Sequence, residues 1–237
     1  RAAAAKERRA LRRRRRKRRQ RRQRRARILK CLNLQALKFG PRLWLLIVTQ
    51  LTLTGIAFPF AGFSPTVFHE KWGYDQVAAS RTAAIGETVG VVLVVILTVA
   101  CLKVRLSLRT ALISAALAAM AAAALYGLYV PNTMSPLPIV FADGLVHASL
   151  FAFVWPAVPA TVDESRVGTA YGFMYASTNL VNTVSYFTLG QVIELEPTRA
   201  VDIFWYFFVL AVLGTVTAAL WTVANCLDER RRAAARR

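Results

Sequence analysis

The sequence predicts an all-α membrane protein whose six transmembrane helices form one bundle. Three observations predict this class: the 237-residue chain is 56% hydrophobic, its middle carries few charges, and its basic residues gather at its ends. Residues 1–42 hold 20 of the 32 Lys and Arg side chains, and residues 230–237 hold five more. Residues 43–229 are left with 7 basic and 11 acidic side chains, a much lower charged fraction than the quarter usual in soluble domains.

The distribution of charge divides the chain into three parts. We expect a basic cytoplasmic segment over 1–42, a six-helix bundle over 43–226 and a basic cytoplasmic tail over 227–237. Like-charge blocks as dense as the 18 basic residues of 1–30 repel one another and stay solvated. Arginine-rich runs are typical of nucleic-acid-binding peptides, but attraction to anionic cytoplasmic lipid explains the same composition. We favour the lipid interpretation because apolar, membrane-spanning stretches follow the basic segment and no aromatic residues are interleaved with the arginines.

Catalysis and metal binding have little support in the sequence. The three cysteines are far apart, with no Cys-x-x-Cys or Cys/His spacing, so the sequence encodes neither a disulfide framework nor a zinc site. His69 and His147 are also far apart, and there is no nucleophile motif, so we expect no catalytic residue, no metal and no cofactor. The chain starts at Arg1 without a signal-peptide pattern, and we expect it to be a fragment or a processed product.

Six apolar stretches follow Pro41, and each is long enough, at about 1.5 Å per residue, to span a hydrocarbon core of about 30 Å. They are residues 43–66, 83–102, 110–130, 137–160, 169–193 and 203–226. Lys and Arg in short loops stay on the cytoplasmic side, and here they concentrate in both tails and in the loop at 103–109. We therefore expect a multi-pass protein with both ends cytoplasmic.

Charged side chains inside a bilayer are costly enough to indicate function. Glu87 lies in the second span between Gly86 and Gly90, whose missing side chains would let another backbone or a substrate come close. It either lines a solvated cavity or pairs with Arg81 or with a group on another helix.

Asp143 and His147 are four residues apart in the fourth span and share one helix face. This spacing allows an ion pair or a proton relay between them.

The fifth span carries a polar stripe within about 100° of helical arc, formed by Tyr171, Tyr175, Thr178, Asn182, Ser185 and Tyr186. The stripe either lines an aqueous pathway or makes interhelical hydrogen bonds, and we favour the pathway. Our candidate substrate-pathway residues are Gln50, Thr54, Glu87, Tyr175, Thr178, Asn179 and Asn182.

Small residues and prolines add two expectations about the helices. Gly168 and Gly172 form a small-xxx-small pair, which predicts close helix packing. Four prolines are expected to interrupt helices within the membrane, as transporters tolerate at binding sites and gates. They are Pro59 and Pro65 in the first span and Pro156 and Pro159 in the fourth.

Two blocks of sequence resemble a known family of membrane proteins. The first is Phe58-Pro59-Phe60 followed by residues 68–74, and the second comprises Trp155-Pro156, Asp163-Glu164, residues 168–174 and Asn179-Leu180. Together they resemble the lysosomal dipeptide transporter branch of the major facilitator superfamily. The first block is similar to the seventh helix of that branch and the luminal loop after it, and the second to its tenth and eleventh helices.

The resemblance implies a twelve-helix fold in two halves, of which this chain would be the C-terminal half, helices seven to twelve. Residues 1–42 would then be the cytoplasmic loop between the halves. It also implies passage of dipeptides across the lysosomal membrane by alternating access, with a glycosylated accessory membrane protein as a partner of the animal members. The loop at 102–109 departs from the branch, whose members usually carry glycine and aspartate there, because it has no acidic residue.

We therefore expect a non-enzymatic transporter of a small solute, a dipeptide or an amino acid, working with an N-terminal six-helix half or with a second copy. The alternative is a membrane-anchored adaptor whose arginine-rich head binds nucleic acid or anionic lipid. Deleting residues 1–30 separates the two, because a transporter keeps its flux while an adaptor loses its activity.

Overall fold

The structure, a computed structural model, describes residues 39–195 and 201–235. Nearly all of the predicted basic segment, residues 196–200 and the last two arginines lie outside the described residues. Six long helices make up the described part, which contains no strand: α1 Pro41–Trp72, α2 Gln76–Ala100, α3 Leu106–Tyr129, α4 Leu137–Ala160, α5 Val167–Leu195 and α6 Ile203–Ala234. A short 3₁₀ turn, Glu164–Arg166, precedes α5.

The predicted all-helical fold is confirmed, and each predicted span falls on one helix. Five of the helices described, α1 to α4 and α6, are long and apolar enough to cross a membrane. The remaining helix, α5, has 29 residues but is not among the five. The polar stripe predicted from the sequence lies on this helix, and it lowers the mean hydropathy.

The loop between α1 and α2 is fixed by two local residues. Gly73 ends α1 with φ of 65°, a left-handed conformation that favours glycine, and its N–H donates to the His69 carbonyl at 3.0 Å. Asp75 precedes α2, and its carboxylate accepts a hydrogen bond from the Ala78 N–H at 2.7 Å. Gly73 therefore sets the end of α1, and Asp75 sets the start of α2.

The prolines affect α1 and α4 differently. In α1 the predicted interruption is wrong, because the helix runs unbroken through Pro59 and Pro65. Each proline removes only one N–H, and the remaining hydrogen bonds of a 32-residue helix hold the segment together. In α4 the interruption is present: Leu150–Val154 forms a π-helical turn and Val158–Ala160 a 3₁₀ turn.

Contacts between helix ends show which ends share a side of the bundle. Arg42 at the start of α1 and Asp228 near the end of α6 form a two-point ion pair, with N–O distances of 2.6 and 2.8 Å. At the opposite side, Lys71 near the end of α1 donates to the carbonyl of Gly127 near the end of α3. The ends of the helices therefore alternate as an up-and-down bundle requires.

The helices differ in how much of their surface the bundle covers. The apolar stretches of α1 and α4 are mostly buried, whereas that of α2 is mostly exposed. The exposed side chains of α2 are large aliphatic ones, including Val91, Val95 and Val99. Such a surface suits contact with lipid or with further apolar protein.

Candidate functional site

Helices α2 and α4 cross at three glycines, which allow their backbones to come close. A methyl group added at Gly144 would lie 2.9 Å from Val89 Cγ1 and 3.1 Å from the Gly86 carbonyl oxygen. One added at Gly90 would lie 3.2 Å from His147 Cβ. The close approach expected at Gly86 and Gly90 is therefore that of α4, and it holds the ionisable residues of the two helices together.

Three ionisable side chains meet at this crossing, and we call them the α2–α4 cluster: Glu87, Asp143 and His147. One oxygen or nitrogen from each lies within 4.8 Å of the other two. Asp143 is 2% exposed, while Glu87 and His147 are partly buried. The structure shows no hydrogen bond or ion pair joining them within the described residues, and none from Glu87 to Arg81. The proton relay remains a prediction.

Aromatic rings enclose His147. Phe58 from α1 and Phe151 from α4 place their ring centres 5.5 and 5.4 Å from the imidazole, with Phe151 stacked on it. The imidazole Nδ1 is buried and has no hydrogen-bond partner among the described residues, as is also true of Asp143 Oδ1. The cluster therefore combines ionisable groups with apolar surroundings.

A second polar group connects α1 to α5. Gln50 is fully buried, and its amide nitrogen donates to the Thr178 hydroxyl and to the Thr54 hydroxyl, the latter at 3.3 Å. Its amide oxygen is buried without a hydrogen-bond partner in the part of the chain that the structure describes. Three of the predicted pathway residues thus form one interhelical contact with one acceptor left unused.

Two tyrosines of the α5 stripe bind backbone carbonyls of the proline-containing helices. The Tyr171 hydroxyl donates to the Trp155 carbonyl at 3.0 Å, and the two rings are stacked 6.1 Å apart. That carbonyl loses its usual α-helical donor because the residue four positions later is Pro159. The Tyr186 hydroxyl donates to the Phe58 carbonyl at 2.7 Å. The polar stripe of α5 therefore makes interhelical hydrogen bonds, the alternative to an aqueous pathway that the sequence left open.

The remaining predicted pathway residues of α5 differ in exposure. Tyr175 is 64% exposed, and Asn179 is exposed, with its amide nitrogen donating to the carbonyl one turn before it at 3.1 Å. Asn182 is partly buried, and its Oδ1 is buried without a partner among the described residues. Tyr175 and Asn179 are therefore accessible to a solute or to another protein surface.

The expected close packing at Gly168 and Gly172 is absent from the described part of the chain. A methyl group added at either position would meet no atom within 4 Å. The two glycines lie in the first turns of α5, where no other described helix comes near enough to use the space.

Sequence reasoning missed contacts at the ends of α1. Trp72 is buried, and its indole N–H donates to the Met134 carbonyl at 2.6 Å, so it anchors the α3–α4 loop. The pairing of Arg42 with Asp228 was foreseeable from the topology, which puts both charges on one side of the membrane.

Comparison with known proteins agrees with this architecture. The family model described as Major Facilitator Superfamily matches residues 8–186, more than half of the chain. The chain belongs to the Major Facilitator Superfamily. Membership confirms the family predicted from the two sequence blocks and makes this chain an integral membrane protein of that superfamily.

The relatives that the chain matches within the superfamily share one name. The chain is 27% identical over 188 residues to the Homo sapiens protein named Lysosomal dipeptide transporter MFSD1, a match that covers 79% of this chain and 39% of the human protein. The protein of the same name from Danio rerio is 24% identical over 168 residues, which cover 70% of this chain and 35% of that protein. The chain therefore spans about two fifths of the length of the relatives that it matches.

Proposed function

We propose that this chain is one six-helix half of a transporter that moves a small solute across a membrane by alternating access. Its membership of the superfamily supports this, as do polar groups at membrane depth that the described residues leave without partners. The observation that carries the proposal is the exposure of two polar side chains, Tyr175 and Asn179, on α5, a helix flanked by membrane-spanning ones. Polar groups at that depth need water, a solute or protein around them.

The solute that we propose is a dipeptide, with a free amino acid as the second choice. The relatives named as dipeptide transporters support this substrate class. A dipeptide carries amide, ammonium and carboxylate groups, and the candidate residues offer matching hydrogen-bond donors and acceptors. Gln50 and Asn182 each have a buried amide oxygen without a partner in the described residues, which suits an N–H donor of the solute.

The rest of the transporter would be an N-terminal six-helix half or a second copy of this chain, facing α2 and α5. The large exposed area of these two helices supports that placement. The names of the relatives support a lysosomal membrane, and the concentration of basic residues at both ends supports cytoplasmic termini. A fluorescent fusion that fails to colocalise with a lysosomal marker would contradict this location.

Uptake of a labelled dipeptide into proteoliposomes tests the proposal. We expect uptake above that of protein-free liposomes, and we expect Glu87→Gln to change its rate or pH dependence while folded protein is retained. The matched control is Glu70→Gln, because Glu70 is exposed in the last turn of α1. Unchanged uptake in Glu87→Gln would remove Glu87 from the pathway.

Deletion of residues 1–30 is a second test, because it leaves all described residues in place. We expect the shortened chain to keep its uptake. If uptake is lost together with binding to anionic vesicles, the activity belongs to the basic segment and the transport proposal fails.

A further inference from the structure

The α2–α4 cluster brings together the side chains that transition metals bind. Glu87 and Asp143 supply carboxylate oxygens and His147 supplies an imidazole nitrogen, with one such atom from each within 4.8 Å of the others. The three residues are spread over 61 positions and two helices, so no metal-binding spacing shows in the sequence. The crossing of α2 and α4 creates the cluster.

Two buried atoms of the cluster have no hydrogen-bond partner among the described residues. Asp143 is only 2% exposed, and its Oδ1 has no hydrogen-bond partner among the described residues. His147 Nδ1 is likewise buried and without a partner there. Burial of an unpaired carboxylate is strongly unfavourable, and it is more so within a bilayer. A bound cation would remove that cost.

No basic side chain of the described residues supplies the compensating charge. The two ion pairs in that part of the chain, Arg42 with Asp228 and Arg166 with Asp163, lie at the ends of helices. If both carboxyl groups are ionised at membrane depth, they need two positive charges from elsewhere. A divalent cation supplies both, and a neutral imidazole completes the ligand set.

The surroundings hold the three ligands in place. The Asp143 carboxylate points towards α2, since its Oδ2 lies 3.6 Å from where a Gly86 methyl group would be. The Phe58 and Phe151 rings limit the rotation of the His147 imidazole. Sites built on helices hold their ligands more precisely than sites built on loops.

We propose that Glu87, Asp143 and His147 bind a divalent transition metal, with Zn²⁺ as the best-fitting ion. One nitrogen and two carboxylate oxygens are ligands that Zn²⁺ accepts, whereas Mg²⁺ and Ca²⁺ prefer oxygen alone. Zinc bonds of about 2.1 Å in a tetrahedral site require ligand atoms about 3.4 Å apart. Side-chain rotation would close the remaining gap, leaving one position of the tetrahedron for water.

Metal binding is measured on the full chain, purified in detergent with a tag that contains no histidine and stripped with a chelator. We expect one Zn²⁺ per chain by calorimetric titration, and a visible spectrum of tetrahedral Co²⁺ when Co²⁺ is the probe. Asp143→Asn and His147→Gln each remove one ligand and should weaken binding by more than about 100-fold, the upper range for loss of an outer-shell partner. His69→Gln is the matched control, because His69 is exposed near the end of α1.

Two results would overturn the proposal: a wild-type chain that binds no Zn²⁺, or ligand variants that bind it as tightly as His69→Gln does. The first is expected if protons alone neutralise the carboxylates.

A measurement on the wild-type chain avoids variants that fail to fold. Zn²⁺ at about 100 times its dissociation constant should raise the thermal midpoint by roughly 5 °C or more, and no rise contradicts the site. These readouts involve no transport, so their outcome is separate from that of the proposed function.

Discussion

The crossing of α2 and α4 at Gly144 can be tested by adding a single methyl group. In Gly144→Ala the new Cβ would lie 2.9 Å from Val89 Cγ1 and 3.1 Å from the Gly86 carbonyl oxygen. Both distances are shorter than ordinary van der Waals contact. The valine side chain can rotate, but the carbonyl belongs to the α2 backbone, so the two helices have to separate by a few tenths of an ångström.

The size of the effect follows from two opposing contributions. Overfilling a well-packed contact costs about 1–3 kcal/mol, while replacing glycine by alanine inside a helix gains about 1 kcal/mol. The net loss for Gly144→Ala is therefore about 0–2 kcal/mol. Gly172→Ala is the matched control, because a methyl group there meets nothing within 4 Å and only the gain remains. The two variants should differ by about 1–3 kcal/mol.

Thermal unfolding of both variants, followed by circular dichroism in one detergent, measures this difference. For a chain of this size a change of 1 kcal/mol shifts the midpoint by roughly 2–4 °C, so Gly144→Ala should unfold at least about 2 °C below Gly172→Ala. Equal midpoints would refute the close crossing, and with it the geometry of the α2–α4 cluster. Gly144→Ala should also weaken Zn²⁺ binding, since it moves Asp143 away from Glu87.

Three further predictions concern other contacts of the bundle. Tyr186→Phe should lower the free energy of unfolding by about 1 kcal/mol, because it loses the hydrogen bond to an α1 carbonyl. Tyr175→Phe is the control, because the Tyr175 hydroxyl has no partner among the described residues, and it should match the wild type in thermal unfolding. Arg42→Ala should cost about 1 kcal/mol by breaking a two-point ion pair that is only about a quarter exposed, and a wild-type midpoint would contradict this. In a background without native cysteines, Asn179→Cys should react with a water-soluble maleimide in membranes much faster than Val95→Cys, and equal rates would show that both faces meet lipid.

The positions of the helices could be predicted because each depends on local sequence. Apolar stretches long enough to cross a bilayer are separated by short polar loops, and hydropathy locates them. The close approach at Gly86 and Gly90 was also predictable, since glycine without a side chain leaves room on a helix. The sequence did not indicate which helix would pack against these glycines.

The composition of the α2–α4 cluster could not be predicted, because it depends on which helices are neighbours. Asp143 and His147 share a helix face, and their spacing of four residues shows this directly. Glu87 is 56 positions before Asp143, and only the crossing of α2 with α4 brings it to the same place. The prediction of no metal was drawn from spacing along the chain, which carries no information about residues that only a helix crossing brings together.

The polar stripe of α5 shows why a helix that looks amphipathic in sequence can serve two purposes. Its buried members, Thr178 and Ser185, bond to side chains of α1 and α6, which satisfies them inside the bundle. Tyr175, a member of the stripe, and Asn179 beside it are exposed on a helix whose neighbours are membrane-spanning. Lipid would leave those groups without hydrogen bonds, whereas the aliphatic surface of α2 tolerates lipid well. The part of α5 around Tyr175 and Asn179 therefore needs water or protein against it, whereas the exposed Leu180, Val184 and Phe187 of the same helix tolerate lipid. The polar residues of α5 are what keep it outside the set of strongly apolar helices.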